Sequence, residues 1–233
     1  MSLKVYTKQN VQLYKIWFFV KQNLFKQMLK VRLPYKNDDF YLDGYPRSGN
    51  TFCVSFIKRF YPTKNFSHHL HSIAGFKIAL KFNLKCFALF RDPLDAVASL
   101  AIMQNFYGKW NKESNSLLSD NLNEYISYYQ YLILNKNKIE FIEFDAIINS
   151  ITLKEFFEKN IESNNITSED LNNFEIDFKS HQKTKPSLRS SSPNKTRNLE
   201  KENVKKLIRA LPNYPQALKV FNEMKEIVES EHK

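Results

Sequence analysis

The sequence is poor in glycine and cysteine, with four and two residues among 233, and it contains no long apolar run. Two cysteines, Cys53 and Cys86, are too few for a disulfide framework or a cysteine-rich zinc site. The apolar stretch at residues 16–20 is too short to cross a bilayer, and no small-residue cleavage site follows it. We therefore expect a cytoplasmic protein that has neither a secretory signal nor a transmembrane helix.

Basic charge, in contrast, is in excess. The net charge is +11 at pH 7, while hydrophobic residues make up 42% of the chain, which is enough for a buried core. The excess indicates an anionic partner such as a phosphate, a sulfate, a nucleic acid or an acidic membrane. Seven of the 35 basic residues are arginines. Four of them lie in predicted loops beside Gly, Ser or Pro, namely Arg47, Arg91, Arg189 and Arg197.

The first 36 residues differ in pattern from the rest of the chain. Residues 8–30 have the apolar spacing of a basic amphipathic helix, carried by Leu13, Ile16, Trp17, Val20, Leu24 and Met28. We expect this helix to pack on the outside of a domain formed by residues 37–233. Contact with a membrane surface is the alternative use of the same pattern.

Strands and helices alternate along the predicted domain. Residues 40–43, 66–71, 86–90 and 139–144 are the strand candidates, and a helical pattern follows each of them. This alternation predicts an α/β fold in which a central parallel sheet is flanked by helices in three layers. Residues 180–198 are rich in Ser, Lys and Pro, which predicts a loop before two closing helices.

The segment from Gly44 to Thr51 has the features of an anion-binding loop. It follows a predicted strand, opens a predicted helix and matches the template G-x-x-x-x-G-K-[ST] except that Asn50 replaces the lysine. The N–H groups and the dipole at a helix start favour an anion. Without the lysine, but with Arg47 nearby, we expect a terminal tetrahedral anion rather than metal-assisted ATP hydrolysis. The alternative is a turn that binds no ligand.

A second candidate half-site follows the buried strand at residues 86–90. Arg91 lies at the carboxyl end of that strand, where parallel α/β sheets bind ligands, and Ser99 lies in the first turns of the next helix. Arginine and serine there are suited to holding a phosphate from two sides. The alternative is a helix-capping ion pair formed by Arg91, Asp92 and Asp95.

Together these segments resemble the sulfotransferase family over about residues 38–150. Residues 46–52, Pro-Arg-Ser-Gly-Asn-Thr-Phe, are similar to that family's 5′-phosphosulfate loop, P-[KR]-S-G-T-T-W, and residues 87–99 are similar to its 3′-phosphate segment. The resemblance implies a P-loop-NTPase-like fold, transfer of a sulfuryl group to a hydroxyl or amine, and no metal. It also implies 3′-phosphoadenosine 5′-phosphosulfate (PAPS) as the donor and adenosine 3′,5′-bisphosphate as the product.

The resemblance also implies roles for individual residues. The 5′-phosphosulfate would be held by Arg47, Ser48, Gly49, Asn50 and Thr51. Phe52 would stack on the adenine, and Arg91 and Ser99 would hold the 3′-phosphate. The family's late R-K-G element is absent, and its nearest substitute is the basic stretch that contains Arg189, Lys195 and Arg197.

Three of the five histidines, His68, His69 and His71, cluster between the two donor segments. Sulfuryl transfer needs a group that takes the acceptor's proton, and the histidine pKa of about 6.5 suits that task. In the family that the chain resembles, the catalytic histidine precedes a leucine in this interval, which makes His69 the expected base and His71 the second candidate. In an extended strand over residues 66–71, these two would share one face. A surface turn or a metal site are the alternatives.

Two other classes of function remain open from the sequence. A P-loop nucleotide kinase would use the same loop, although the missing lysine argues against it. A protein that binds nucleic acid or another anion without catalysis would also explain the charge, but the basic residues are scattered and carry no aromatic-basic signature, so no nucleic acid is expected. The expected acceptor bears a hydroxyl group on a carbohydrate, a lipid or a small molecule.

Overall fold

The structure is a computed structural model that describes residues 3–24, 31–106, 116–183 and 195–230. Its four strands are β1 (Phe40–Gly44), β2 (Phe66–His68), β3 (Lys85–Phe90) and β4 (Ile139–Glu143). The helices of the described part are α1 (Leu3–Gln9), α2 (Val11–Leu24), α3 (Asn50–Phe60), α4 (Ile73–Lys81), α5 (Pro93–Phe106), α6 (Ser116–Ile133), α7 (Phe144–Ile147), α8 (Ser150–Asn160), α9 (Ser168–Lys183), α10 (Lys195–Arg209) and α11 (Tyr214–Ser230).

The four strands form one parallel sheet in the order β2-β1-β3-β4. From β1 the chain first adds β2 on one side and then crosses to add β3 on the other. The strand order therefore reverses between β1 and β3, and such a switch point opens a crevice at the carboxyl ends of the two strands. The loops that follow β1 and β3 meet at this crevice.

Helices cover both faces of the sheet. Along β3, Phe87 and Leu89 pack against α3, α7, α8 and α9, whereas Cys86, Ala88 and Phe90 pack in the opposite cluster with α2, α4, α5, α6, α10 and α11. A strand buried on both faces needs apolar residues at every position, which explains the uninterrupted apolar run of β3. The predicted α/β fold with a central parallel sheet between helices is confirmed.

The boundaries of the predicted helix over residues 8–30 and of the predicted strand over residues 66–71 were wrong. The single helix over residues 8–30 is two helices, because the Oδ1 atom of Asn10 accepts from the backbone N–H groups of Gln12 and Leu13 and starts α2; residues 25–30 lie outside the described part. The strand over 66–71 ends at His68, because His69 and His71 have φ angles of 59° and 48° and are not extended.

The predicted loop over residues 180–198 is shorter than expected at both ends. Residues 180–183 belong to α9 and residues 195–198 belong to α10, while residues 184–194 lie outside the described part. Polar helices of this kind are stabilised by one packed face, and a composition rich in Ser and Lys does not reveal that face.

One close approach fixes α4 against the sheet. A Cβ atom at Gly75 of α4 would lie 2.2 Å from the hydroxyl oxygen of Tyr41 in β1, so no larger residue fits there. The helix thus rests directly on the Tyr41 ring, and that ring is fully buried.

The helices of the described part are too short or too polar to cross a membrane.

Candidate active site

A cavity of about 580 Å³ lies at the switch point of the sheet. It is bordered by the β1–α3 loop, by Arg91 after β3, and by residues of α5, α7, α9 and α10. Of the described side chains around it, Arg47, Arg91, Lys179 and Lys201 are basic and only Glu175 is acidic. The volume is typical of a small-molecule site, and the charge favours an anion.

The β1–α3 loop turns sharply into the start of α3. Arg47 and Gly49 have left-handed φ angles of 73° and 90°, and Gly49 is the N-cap of the helix. A side chain at Gly49 would be strained by this φ angle, and its Cβ would lie 3.0 Å from Cγ2 of Ile147. The first N–H groups of α3 have no partner within the helix, so the loop presents donors toward the cavity.

Hydrogen bonds join the loop after β1 to the loop after β3. Nη1 of Arg91 donates to the carbonyl oxygen of Arg47 at 3.2 Å, and Nε of Arg47 donates to Oγ of Ser99 at 2.9 Å. The guanidinium of Arg91 also stacks on Phe144, with Cζ 3.7 Å from the ring centroid. Burial lowers the pKa of Arg91, but an arginine stays charged in proteins. The structure therefore brings the two sequence-predicted half-sites together.

The side chains of two loop residues, Ser48 and Asn50, make contacts within the protein that the sequence did not reveal. Ser48 is fully buried, and its hydroxyl points to the hydroxyl of Tyr129 at 3.3 Å rather than into the cavity. The side-chain amide of Asn50 donates to the carbonyl oxygen of Tyr45 at 3.4 Å. The Ser48 side chain holds the loop to α6, whereas the Asn50 bond stays within the loop and leaves Asn50 at the cavity wall. The backbone N–H groups and Arg47 are therefore the strongest donors that an anion would meet.

An aromatic surface borders the cavity beside the helix start. Phe52 lines it together with Phe178, and their ring centroids lie 4.9 Å apart in an edge-to-face arrangement. Phe174 supports Phe52 from behind, at 5.2 Å. This partly exposed ring is available for stacking on a planar group such as a nucleobase. Thr51 lines the same side of the cavity.

His71 is held by the strand that carries the loop. Its Nδ1 atom lies 2.7 Å from the carbonyl oxygen of Gly44 and 3.3 Å from Oδ1 of Asp43, and its backbone N–H donates to Oδ2 of Asp43 at 2.6 Å. A carbonyl can only accept, so Nδ1 carries the hydrogen and Nε2 is the free nitrogen of the neutral ring. The ring lines the cavity.

Asp43 is the fully buried partner of His71. Burial acts to raise the pKa of this carboxyl, but the charge of His71 and hydrogen bonds from His71 and Tyr41 hold it below its usual value. The hydroxyl of Tyr41 donates to Oδ2 of Asp43 at 2.8 Å. A buried carboxylate in this position orients the imidazole and stabilises the imidazolium that forms when Nε2 takes a proton.

His69 has a different environment. Its Nδ1 lies 2.7 Å from Nδ1 of His68, and burial, followed by the charges of His71 and His68, lowers the pKa of His69 to about 3. The pKa of His68 falls to about 4, chiefly through burial. His69 lines the cavity with His71, and their ring centroids lie 5.6 Å apart. His69 is therefore neutral over a wide pH range and is a weak proton acceptor.

Backbone strain concentrates at this site. Among the described residues other than glycine, Arg47, His69, His71 and Asn83 have positive φ angles, and the first three all line the cavity. Each such conformation costs on the order of 1–3 kcal/mol, and residues of this kind cluster at functional sites. The cavity is thus singled out by backbone geometry as well as by charge.

Sequence reasoning missed a cation that α10 contributes. Nζ of Lys201 lines the cavity and lies 2.5 Å from Oδ1 of Asp95, which Lys205 also contacts at 2.9 Å. Burial acts to raise the pKa of Asp95, but the bonds from the two lysines lower it to about 2. A signal existed, since Lys201 precedes the buried Val204 and Ile208 by three and seven residues on one helix face.

The predicted C-terminal cations are not placed by the structure. Arg189 lies outside the described residues, and so do the side chains of Lys195 and Arg197. The alternative of a metal site at the histidines has no support from the described side chains. Within the described ranges, no three His, Cys, Asp or Glu side chains are grouped so that they could hold a metal ion.

Comparisons with known proteins leave the family to be inferred from the site. No protein-family model matches the chain, and no curated protein matches it.

Proposed function

We propose that this protein is a PAPS-dependent sulfotransferase with a P-loop-like fold. The observation that carries the proposal is the joining of Arg47, Arg91 and Ser99 beside the N-terminus of α3, in one cavity that also holds an oriented histidine. Two anion-binding segments that are distant in sequence and meet at one cavity suit a donor that carries two anionic groups. Phe52 between the loop and α9 suits the adenine that joins them.

Each end of the donor has its own set of partners in this proposal. The N–H groups at the start of α3 and the guanidinium of Arg47 bind the 5′-phosphosulfate. Arg91 and Ser99 bind the 3′-phosphate, and Lys201 adds a further cation at the same side of the cavity. Arg47 contacts Ser99 and therefore links the two ends.

His71 is the proposed base, in place of His69. Its Nδ1–H is fixed by Gly44 and Asp43, which leaves Nε2 free to accept a proton from the acceptor. His69 packs against His68, and its pKa of about 3 makes it a poor proton acceptor near neutral pH. His69 then serves as a neutral neighbour that shapes the acceptor side of the cavity.

The reaction is a single in-line displacement. The acceptor oxygen forms a bond to sulfur while the bond from sulfur to the bridging oxygen of the nucleotide breaks. The acceptor proton passes to Nε2 of His71, and the electron pair of the broken bond remains on the 5′-phosphate of adenosine 3′,5′-bisphosphate. Arg47 and the N–H groups of the loop stabilise the charge that grows on the leaving oxygen.

The kinase alternative is less well supported by the loop. The lysine that grips the terminal phosphates in nucleotide kinases is replaced by Asn50, whose amide is occupied by the carbonyl of Tyr45. A nucleic-acid-binding role is also less well supported, because the arginines at this site are gathered inside a concave cavity rather than along an open surface. We also propose that the protein acts in the cytoplasm, where free cysteines such as Cys53 and Cys86 stay reduced.

Donor binding is the first experiment, and it needs no knowledge of the acceptor. In EDTA, PAPS and adenosine 3′,5′-bisphosphate should raise the melting temperature, since a ligand at 100 times its Kd stabilises the native state by about 2.7 kcal/mol. AMP should stabilise the protein less. Transfer of radioactive sulfate from PAPS to a panel of hydroxyl acceptors then tests catalysis. Stabilisation by ATP with magnesium and none by PAPS would contradict the proposal.

A further inference from the structure

Helix α2 carries large apolar side chains on two sides. Tyr14 and Phe18 are buried in the core, where they attach the helix to the domain. Five others are exposed. Four of them group together, and we call them the outer face of α2: Leu13, Ile16, Trp17 and Val20, which are 39%, 62%, 42% and 47% exposed; the fifth, Phe19, lies beside Ile16 at the edge of this group. At about 100° per residue the outer face covers an arc of about 100° on the helix surface.

Such a cluster differs from the scattered exposed apolar residues that any protein surface contains. Exposed Leu134 lies alone after α6, and exposed Ile151 has only Ile148 near it in sequence, whereas the outer face groups four large side chains on two turns of one helix. Grouped apolar surface of this kind marks an interaction site. The packing of Tyr14 and Phe18 does not require it.

Charge around the outer face shows what kind of partner fits. Lys21 borders it directly, with Nζ 4.7 Å from the centroid of the Trp17 ring, and Lys15 lies on the other side of the face, beyond Phe19. The first acidic residue of the whole chain is Asp38. Before it stand eight basic residues, Lys4, Lys8, Lys15, Lys21, Lys26, Lys30, Arg32 and Lys36.

We propose that the outer face of α2 binds the surface of an anionic lipid membrane. The helix lies parallel to the surface, the apolar side chains enter the boundary between headgroups and acyl chains, and Lys15 and Lys21 meet the lipid headgroups. Trp17 stands at the edge of the face beside Lys21, and tryptophan favours this interfacial depth. The membrane supplies both the negative charge and the apolar layer that this convex surface requires.

A second copy of the chain fits this surface less well. Two outer faces packed together would bring Lys15 and Lys21 of both copies close to each other, with no acidic residue in either segment to compensate. Like charges placed in this way oppose association, whereas they favour binding to an anionic surface.

Flotation of the full-length protein with lipid vesicles tests the proposal. Vesicles of phosphatidylcholine mixed with phosphatidylserine should bind the protein, and phosphatidylcholine alone should bind it at least about tenfold more weakly. The double variant Ile16→Ser/Val20→Ser should lose at least about tenfold in vesicle affinity. Its matched control is Leu134→Ser/Ile151→Ser, which removes equally exposed apolar side chains elsewhere and should bind like the parent.

The charge contribution has its own matched pair. Lys15→Gln/Lys21→Gln should weaken binding about 25-fold, at about fivefold for each lysine, while Lys138→Gln/Lys219→Gln changes the net charge equally and should have little effect. Melting curves and binding of adenosine 3′,5′-bisphosphate report that each variant is folded, independently of the membrane. Failure of the parent to bind anionic vesicles would overturn the proposal. A dimer in solution that Ile16→Ser/Val20→Ser abolishes, without vesicle binding, would assign the face to a second copy.

Discussion

The two sides of the cavity are built in different ways. On the anion side, Arg47, Arg91 and the start of α3 carry charge that does not change with pH, and hydrogen bonds between loops fix it in place. On the histidine side, three imidazoles lie within four consecutive positions of the chain, yet one of them contacts a buried carboxylate while the other two are desolvated. The residues of the anion side differ from one another mainly in position, whereas the three histidines differ mainly in their surroundings.

Replacing the cavity histidines one at a time gives the largest expected effect on turnover. His71→Asn should lower kcat about 10²–10⁴-fold, the usual share of a general base, with donor affinity unchanged. His69→Asn should cause a smaller loss. Asparagine is the replacement because it tolerates the positive φ angle at both positions. Steady-state kinetics gives kcat, and calorimetric titration with adenosine 3′,5′-bisphosphate gives donor affinity. If His69→Asn carries the large loss, the assignment of the base is wrong.

Arg91 on the anion side should govern selectivity rather than turnover. Arg91→Met keeps much of the packing on Phe144 but removes a charged hydrogen bond that contributes about 1.5–3 kcal/mol. Binding of adenosine 3′,5′-bisphosphate should weaken about 10- to 150-fold, and binding of AMP should barely change. Ser99→Ala should cost less, because it removes a neutral partner.

Calorimetric titration with both nucleotides measures this selectivity, and Arg59→Met, an exposed arginine of α3, serves as the control. An undiminished preference for the 3′-phosphate in Arg91→Met would show that Arg91 only joins the two loops.

Acid should destabilise the protein through the histidine side. The native pKa values of His68 and His69 are about 4 and 3, below the value of about 6.5 in an unfolded chain. Between these limits the unfolded state binds more protons, so the stability that both groups contribute is full above pH 6.5 and is lost as the pH falls. From pH 6.5 to 5 the free energy of unfolding should drop by about 2 kcal/mol for each histidine.

Urea unfolding at several pH values measures that slope. The variant His68→Gln/His69→Asn should flatten it, while His181→Gln, which changes an exposed histidine of α9, should leave it as it is. An equal slope in all three proteins would contradict the burial of these two rings.

The smallest expected effect separates two lysines that share one carboxylate. Lys201 and Lys205 both contact Asp95, but of these two lysines Lys201 alone lines the cavity. Lys201→Met should weaken binding of adenosine 3′,5′-bisphosphate about threefold to fivefold, the effect of a partly exposed ion pair. Lys205→Met is the matched control and should leave it unchanged. Equal losses in both variants would mean that the pair acts only by attaching α10 to α5.

The anion side was largely predictable from the sequence, whereas the histidine side was not. A strand, a turn with glycine and a helix start are local signals, and they placed Arg47, Gly49 and Arg91 correctly at the cavity. The direction of the Ser48 side chain was missed because it depends on Tyr129, which is distant in sequence. The left-handed turns at His69 and His71 carry no glycine to announce them, so an extended strand was expected instead.

Long-range packing explains the other omissions. Lys201 reaches the cavity only because α10 packs on α5, and no local pattern specifies that pairing. The predictions contained no helix over α9, since its polar sequence hides the spacing of the two buried residues Leu171 and Phe174, which attach it beside Phe52. What the sequence could not provide in each case was the neighbour across the fold.

The contact between Gly75 and Tyr41 extends the reach of the site into the helical layer. Tyr41 holds Asp43, Asp43 holds His71, and α4 presses on Tyr41 with no room for even one methyl group. The orientation of His71, the proposed base, therefore depends on how closely α4 packs against Tyr41. A larger residue at Gly75 would displace Tyr41, and through it Asp43 and His71. Proton transfer to His71 would then slow although every residue that lines the cavity is unchanged.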